Sequence, residues 1–306
     1  MKDVASYLLW PALVAAALAA NHAGLRIGYP IVFFNASYLA LAGALFMLER
    51  IMPHEARWRD DDGQLIPDIG HTLVSKSMVQ ILIASLTVMG AADALELSGA
   101  SWWPHGWPLP LQILLGLVIA EFGFYWAHRL AHEWPLLWRF HAIHHSVTRL
   151  WFVNTGRFHF VDTVASVGFG LAVGLALGIP KEIIIWVSAI TAYLGLLTHC
   201  NVEMRCGPFN YLFNTPCLHR WHHSMVPEEG NRNYGENLMI YDQLFGTFIN
   251  PPRRPPVRIG IREPMPATLA GQILHPFRAR GQNRKGPGLK RMGPPEYRER
   301  QSEAQP

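Results

Sequence analysis

Three short stretches concentrate the residues that can do chemistry. "HRLAH" sets His128 and His132 four apart, "HAIHH" holds His141, His144 and His145, and "HRWHH" holds His219, His222 and His223. On a helix, positions i, i+3 and i+4 share a face, so each stretch projects its imidazoles together. Eight nitrogens are too many for one ion; two metal ions with four or five nitrogens each is the economical arrangement. All-imidazole coordination suits iron, zinc, copper or nickel, so spacing predicts a paired metal site without naming the metal. Imidazoles bind metal only when neutral, so loading should weaken as pH falls below about 6.5, the free imidazole pKa. His22, His54, His105 and His275 lie outside the pattern and read as ordinary surface or structural residues.

Other motifs fail on inspection. "HEWPL" opens like a zinc-protease H-E-x-x-H, but Leu136 stands where the second histidine belongs and Pro135 breaks the helix that motif needs. No H-x-x-E-H occurs. "GFGLAVG" at 168–174 lies inside an apolar run with no strand before it, so Gly170, Gly174 and Gly178 read as close helix packing instead of a dinucleotide loop. Cys200, Cys206 and Cys217 form no C-x-x-C pair, and as free thiols they suit a reducing compartment.

The elements that position the histidines are apolar. Hydrophobic residues make up 50% of the 306 and charged residues only 16%. Runs near 6–22, 30–48, 72–94, 110–127, 161–178 and 182–198 read as six transmembrane or membrane-embedded helices. The last two, separated by "GIPKE", could form a tight hairpin. The first run reads as a retained span because a second follows almost at once. If all six cross, the loops near 49–71 and 128–160 share one side with the tail. That side carries Arg50, Arg57, Arg59, Arg129, Arg139, Arg149 and Arg157, against Arg26 and Lys181 opposite. The positive-inside rule then puts both termini and every clustered histidine on the cytoplasmic face. The Trp-rich loop "SGASWWPHGWPLP" has no Lys or Arg and reads as an interfacial belt. The expected fold is an all-α integral membrane protein whose cytosolic, histidine-rich helical cap holds a di-metal site.

Three regions follow: N-terminal membrane helices over 1–109, a catalytic domain over 110–250, and a basic Pro/Arg-rich tail over 251–306. The tail carries twelve Lys or Arg against four Asp or Glu, which leaves the body acidic; its composition predicts disorder. Nothing in this balance calls for a nucleic-acid partner.

In order and spacing, "HRLAH", "HAIHH" and "HRWHH" resemble the fatty acid hydroxylase superfamily, which includes sterol desaturases and alkylglycerol monooxygenases. The resemblance spans roughly 115–250 and extends to "FYWAHR" and "NYGENLMIYDQLFGTF", with Tyr241 standing where the family has Trp. "RFHFVD" resembles its Arg-x-His-Pro-x-Glu stretch, with Phe160 for Pro and Asp162 for Glu, and "HCN" resembles its His-x-Asn. The resemblance implies that His159 and His199 join the ligands; His71, which begins the third run on the same face, is a weaker candidate. It also implies two iron ions, with zinc an alternative, that activate O2 to hydroxylate or desaturate a membrane lipid. With no haem, iron–sulfur or nucleotide motif in the chain, electrons would come from a separate reductase with a ferredoxin or cytochrome.

Carboxylates near such sites hold the free N–H of a liganding imidazole. Asp162 and Asp242 are candidates. Glu121 lies inside an apolar run, where an ionisable group needs a polar partner, and forms a stripe with Tyr125, His128 and His132. The competing classes are a metal transporter or store, which would place ligands near mid-membrane, and a zinc hydrolase. The lipid itself, whether sterol, fatty acyl, sphingolipid, carotenoid or ether lipid, is open at this point.

Overall fold

The computed structural model describes residues 2–88 and 102–278. The apolar runs become long helices: α1 (Lys2–Ile27), α2 (Pro30–Ile51), α3 (Leu65–Val88), α4 (Leu109–Glu133), α6 (Phe160–Ala176) and α7 (Lys181–His199). Between α4 and α6 lies α5 (Pro135–His145), started by Pro135 at its first turn, where a missing N–H costs nothing. Short helices α8 (Pro216–His222), α9 (Ile240–Leu244) and α10 (Leu269–Arg278) follow. Among the described residues no strand forms beyond isolated bridges such as Pro53 with Val202. The expected third run extends past Val88, and that part lies outside the described residues, as do the first four residues of the Trp-rich loop, 98–101.

Among the described residues four helices, α1, α2, α4 and α7, are long and apolar enough to cross a membrane. With 17 residues α6 is shorter, roughly 26 Å against a hydrocarbon core of about 30 Å. It turns directly into α7 through Gly178, whose φ of 74° is left-handed. Gly178 is therefore a turn residue, not the helix-packing glycine expected from its spacing. Close packing is real at α4 against α6: a Cβ on Gly123 would lie 2.2 Å from the Phe169 carbonyl oxygen, and one on Gly170 would lie 2.4 Å from Phe124. Large apolar side chains such as Ile31, Val32, Leu39, Leu111, Leu114 and Phe169 face outward, as lipid-facing residues must. The chain is a multi-pass membrane protein.

One end of the bundle is polar inside. Glu49 near the end of α2 accepts the backbone N–H of Phe152 and Asn201 at 2.9 and 3.0 Å. Asp68 in the first turn of α3 pairs with Arg157 at 2.6 Å, ahead of α6. Arg205, beyond α7, donates its backbone N–H to Ser6 in α1 at 2.9 Å. Buried polar groups keep partners or become costly, and these bonds tie helix ends to one cap.

Residues 251–278 depart from the expectation of a disordered tail. Trp58 donates to the Val257 carbonyl at 3.1 Å, and Ile259 packs with Trp58, Val147 and Leu150. Gly260 donates its N–H to the His223 carbonyl at 3.1 Å. Gln272 is fully buried, bonded to His71, Gln64 and the Pro266 carbonyl. Averaging composition over 251–306 hides these few anchoring residues. Residues 279–306 lie outside the described part.

Candidate metal centre

Nine histidines converge in the cap in two groups. His128, His132, His141, His145 and His222 form one, and His144, His199, His219 and His223 the other; in each, one ligand atom per residue lies within 4.8 Å of all the rest. All nine are buried, none more than 8% exposed. In both H-x-x-H-H stretches the first and last histidines, four apart, share a group, while the middle one joins the other. His141 and His145 point one way and His144 the other; His219 and His223 likewise oppose His222. A 100° step per residue produces this split, because i+3 and i+4 fall on either side of the direction of i.

The outer nitrogens are held by acceptors. His128 Nδ1 donates to the Tyr234 carbonyl at 2.7 Å, His222 Nδ1 to the Arg232 carbonyl at 2.8 Å, and His141 Nδ1 to Asp162 Oδ2 at 2.9 Å. His132 Nδ1 donates to Asn231 Oδ1, and His199 Nδ1 to Asn154 Oδ1, both at 3.0 Å. A neutral imidazole has one N–H, so each of these rings turns a bare Nε2 lone pair inward. There the nitrogens crowd: His132 Nε2 lies 3.0 Å from His145 Nε2, which lies 3.1 Å from His141 Nε2. In the second group His219 Nε2 lies 2.9 Å from His199 Nε2 and 3.1 Å from His223 Nε2. The Nε2 atoms of His128 and His222 and both nitrogens of His144 are buried without any partner.

His145 Nε2 lies between the lone pairs of His132 and His141 and has at most one proton to offer, so a cation among the three would satisfy what a hydrogen bond cannot. Two nitrogens bound at about 2.05 Å and at right angles on one ion lie about 2.9 Å apart, and tetrahedral neighbours about 3.3 Å apart. The contacts of 2.9–3.1 Å fall at or between these values, and the five-membered group offers one nitrogen more than tetrahedral coordination takes. Burial, reinforced by the neighbouring imidazoles, holds His144, His145, His219, His222 and His223 well below the usual imidazole pKa. They are neutral at pH 7, as metal binding requires. A cavity of about 200 Å³ opens against His132, His145 and His222, its outer wall formed by Gly260–Glu263 of the tail.

The remaining candidates divide. Asp162 Oδ2 accepts from His141 Nδ1. His159 joins neither group: its Nδ1 accepts the Val161 N–H at 3.1 Å, capping α6, and its Nε2 donates to the Ile273 carbonyl at 3.1 Å. Both nitrogens are spent, and no lone pair is left for an ion. His71 is likewise engaged elsewhere, with the Phe158 carbonyl and Gln272. Asp242 holds no imidazole. It accepts the backbone N–H of Tyr234 at 2.8 Å and of Gly235 at 2.7 Å, and the Thr247 hydroxyl at 2.6 Å. Glu121 accepts those of Glu236, Asn237 and Leu238 at 2.6, 2.9 and 3.1 Å. Five consecutive amides, 234 to 238, thus rest on two carboxylates, and this loop presents the Tyr234 carbonyl to His128. Sequence reasoning passed over Asn154, Asn231 and the carbonyls of Tyr234 and Arg232. The carbonyls leave no trace in residue type, whereas Asn231 sits in the Asn-rich "NRNYGEN" that follows the last histidine stretch.

Residues 113–247 match the fatty acid hydroxylase family. The chain is 49% identical over 281 residues to ornithine lipid hydroxylase OlsE of Rhizobium tropici, covering 90% of this chain and 85% of that one. It is 31% identical over 163 residues to the alkylglycerol monooxygenase of Xenopus tropicalis, covering 52% of this chain and 35% of that protein. It is also 26% identical over 180 residues to very-long-chain aldehyde decarbonylase GL1-11 of Oryza sativa subsp. indica, covering 58% and 65%. No solved structure matches significantly. The chain belongs to the fatty acid hydroxylase family.

Proposed function

We propose that this protein hydroxylates an ornithine-containing membrane lipid, using O2 at a di-iron site held by the nine clustered histidines. As a member of its family it is a membrane-bound oxygenase that acts on lipid. The ornithine lipid is suggested by the 49% identity that runs through 85% of the Rhizobium tropici hydroxylase. The observation that carries the chemistry is the double cluster of inward Nε2 lone pairs. Five nitrogens in one group favour an ion that accepts more than four ligands, which supports iron over tetrahedral zinc.

Bound iron would supply activation of O2. The balance is one R–H, one O2, two electrons and two protons giving R–OH and water, so a reductant is required. A separate reductase acting through a ferredoxin or cytochrome fits, because the chain carries no redox motif of its own. The protein's part is to keep the imidazoles neutral, fix their rotation through Asp162, Asn154, Asn231 and two carbonyls, and shield the centre within the cap. Clustering at one bundle end also speaks against a transporter, whose ligands belong near mid-membrane. The arginines around that end support a cytoplasmic cap and cytoplasmic termini.

The test is to load the purified protein anaerobically with ferrous iron, add reductant and O2, and analyse lipid extracts by mass spectrometry. Ornithine lipid one oxygen atom heavier, formed only with O2 and reductant, is expected. Iron-loaded protein whose Mössbauer spectrum ignores O2 would refute the oxygenase reading.

A further inference from the structure

The loop clamped by Glu121 and Asp242 carries a carboxylate that the metal site does not use. Glu236 gives its backbone N–H to Glu121, but its side chain makes no hydrogen bond and no ion pair among the described residues. It stands two residues from Tyr234, whose carbonyl receives His128 Nδ1 at 2.7 Å, so the loop that carries it lies against the five-histidine group. Yet the residue keeps partial accessibility while its neighbours Gly235 and Asn237 are buried. Its carboxylate is thus unpaired and accessible in a loop whose flanking residues are closed off. Beside it Asn237 is fully buried, with neither its side-chain oxygen nor its nitrogen partnered.

This combination is unusual. Buried polar side chains are nearly always satisfied, and exceptions ask for an absent ligand or a functional reason. The five backbone N–H groups of the loop, by contrast, are all bonded, so Glu236 is presented on a rigid support close to the five-histidine group. We propose that Glu236 determines substrate specificity by receiving the primary ammonium group of the lipid headgroup. The inference rests on the amino-lipid reading above, since ornithine carries a side-chain amine. Burial pushes the Glu236 carboxyl up to about 7, and an arriving cation would favour its ionised form. An uncharged headgroup would leave that carboxyl without a partner, which selects against neutral lipids.

The experiment compares the metal-loaded full chain with Glu236→Gln on three lipids: ornithine lipid, the same lipid with its amine acetylated, and phosphatidylethanolamine, which bears the same ammonium on a phosphate. A charge-assisted bond of this kind corresponds to about 10- to 100-fold in affinity. Wild type should favour ornithine lipid over the acetylated form by that factor. Glu236→Gln should raise KM for ornithine lipid by a similar factor, with kcat, the acetylated-lipid rate and metal content unchanged. Equal effects on both lipids, or none, would overturn the proposal. Thermal shifts by each lipid report binding apart from turnover. A wild-type shift with ornithine lipid that Glu236→Gln loses, without any O2-dependent product, keeps the ammonium site and refutes only the oxygenase reading. Shifts equal in the two proteins, or absent from both, overturn the site. A wild-type shift with phosphatidylethanolamine as well as ornithine lipid, lost in Glu236→Gln, assigns the site to ammonium headgroups in general.

Discussion

Replacing Glu121 by Gln tests whether a residue that touches no imidazole controls the metal centre. The wild-type carboxylate accepts three backbone N–H groups, one on Oε1 and two on Oε2. Glutamine has one acceptor oxygen. Placed where Oε2 was, it keeps Asn237 and Leu238 but turns its NH2 toward the Glu236 N–H, donor against donor. One charge-assisted bond is lost and the other two are weakened; at about 1.5–3 kcal/mol per bond to a charged group, the folded state should lose about 2–3 kcal/mol. Glu121 is fully buried, so solvent screening does not reduce that figure. The loop then shifts, and with it the Tyr234 carbonyl that fixes His128. Disturbing the outer support of a ligand ordinarily costs about 10–100-fold in metal affinity. Because His128 belongs to the five-membered group only, one metal equivalent should be stripped first by a chelator while the second stays. Titration with a chelator of known affinity, followed by elemental analysis and a thermal melt, measures both effects. Full retention of two metals and an unchanged melt would refute the clamp argument.

Three further outcomes follow from named contacts. His159→Ala should keep both metal equivalents and lose about 1 kcal/mol through the missing cap of α6; elemental analysis showing one metal lost would instead make His159 a ligand. Gly260→Ala puts a Cβ 2.8 Å from the Val147 carbonyl oxygen at a φ of 111°, a strain of about 1–3 kcal/mol that should appear as a lower melting temperature and looser metal. The chelator-treated protein should lose stability as pH falls. His144, His145, His219, His222 and His223 have folded pKa values held below the unfolded value, so below about 6.5 the unfolded chain binds more protons. Stability is full above that pH and declines beneath it, which melts between about pH 5 and 8 should show.

Much of the site is legible in the sequence because histidine is scarce enough for its spacing to stand out. The apolar runs are legible for a similar reason: helix length in a membrane is set by bilayer thickness. What sequence hides is the part played by backbone. Tyr234 and Arg232 act through carbonyls, which every residue has. Asp242 looks like an imidazole partner because carboxylates near metals usually are, but two amides and a hydroxyl claim it first. His159 follows a family pattern in type, yet it stands immediately before α6, where a free N–H competes for its lone pair. The docked tail is hidden by averaging, since a handful of contacts by Trp58, Ile259 and Gln272 fix a segment whose overall composition reads as solvated.

The interleaving of the histidines bears on how the centre assembles. α5 gives His141 and His145 to one group and His144 to the other, while α8 and its C-cap give His222 to one and His219 and His223 to the other. Neither group can form without fixing both helices, so ordering one prepares most of the second. α4 and α7 have the opposite character: each serves a single group, through His128 and His132 or through His199. The two embedded helices therefore set where each ion would lie, and the short cap helices couple the two positions. In this division each membrane helix serves one group and each cap helix serves both. It also explains why the loop 234–238, which reaches His128 from outside the cluster, is secured at every amide: the five-membered group depends on a support that neither shared helix supplies.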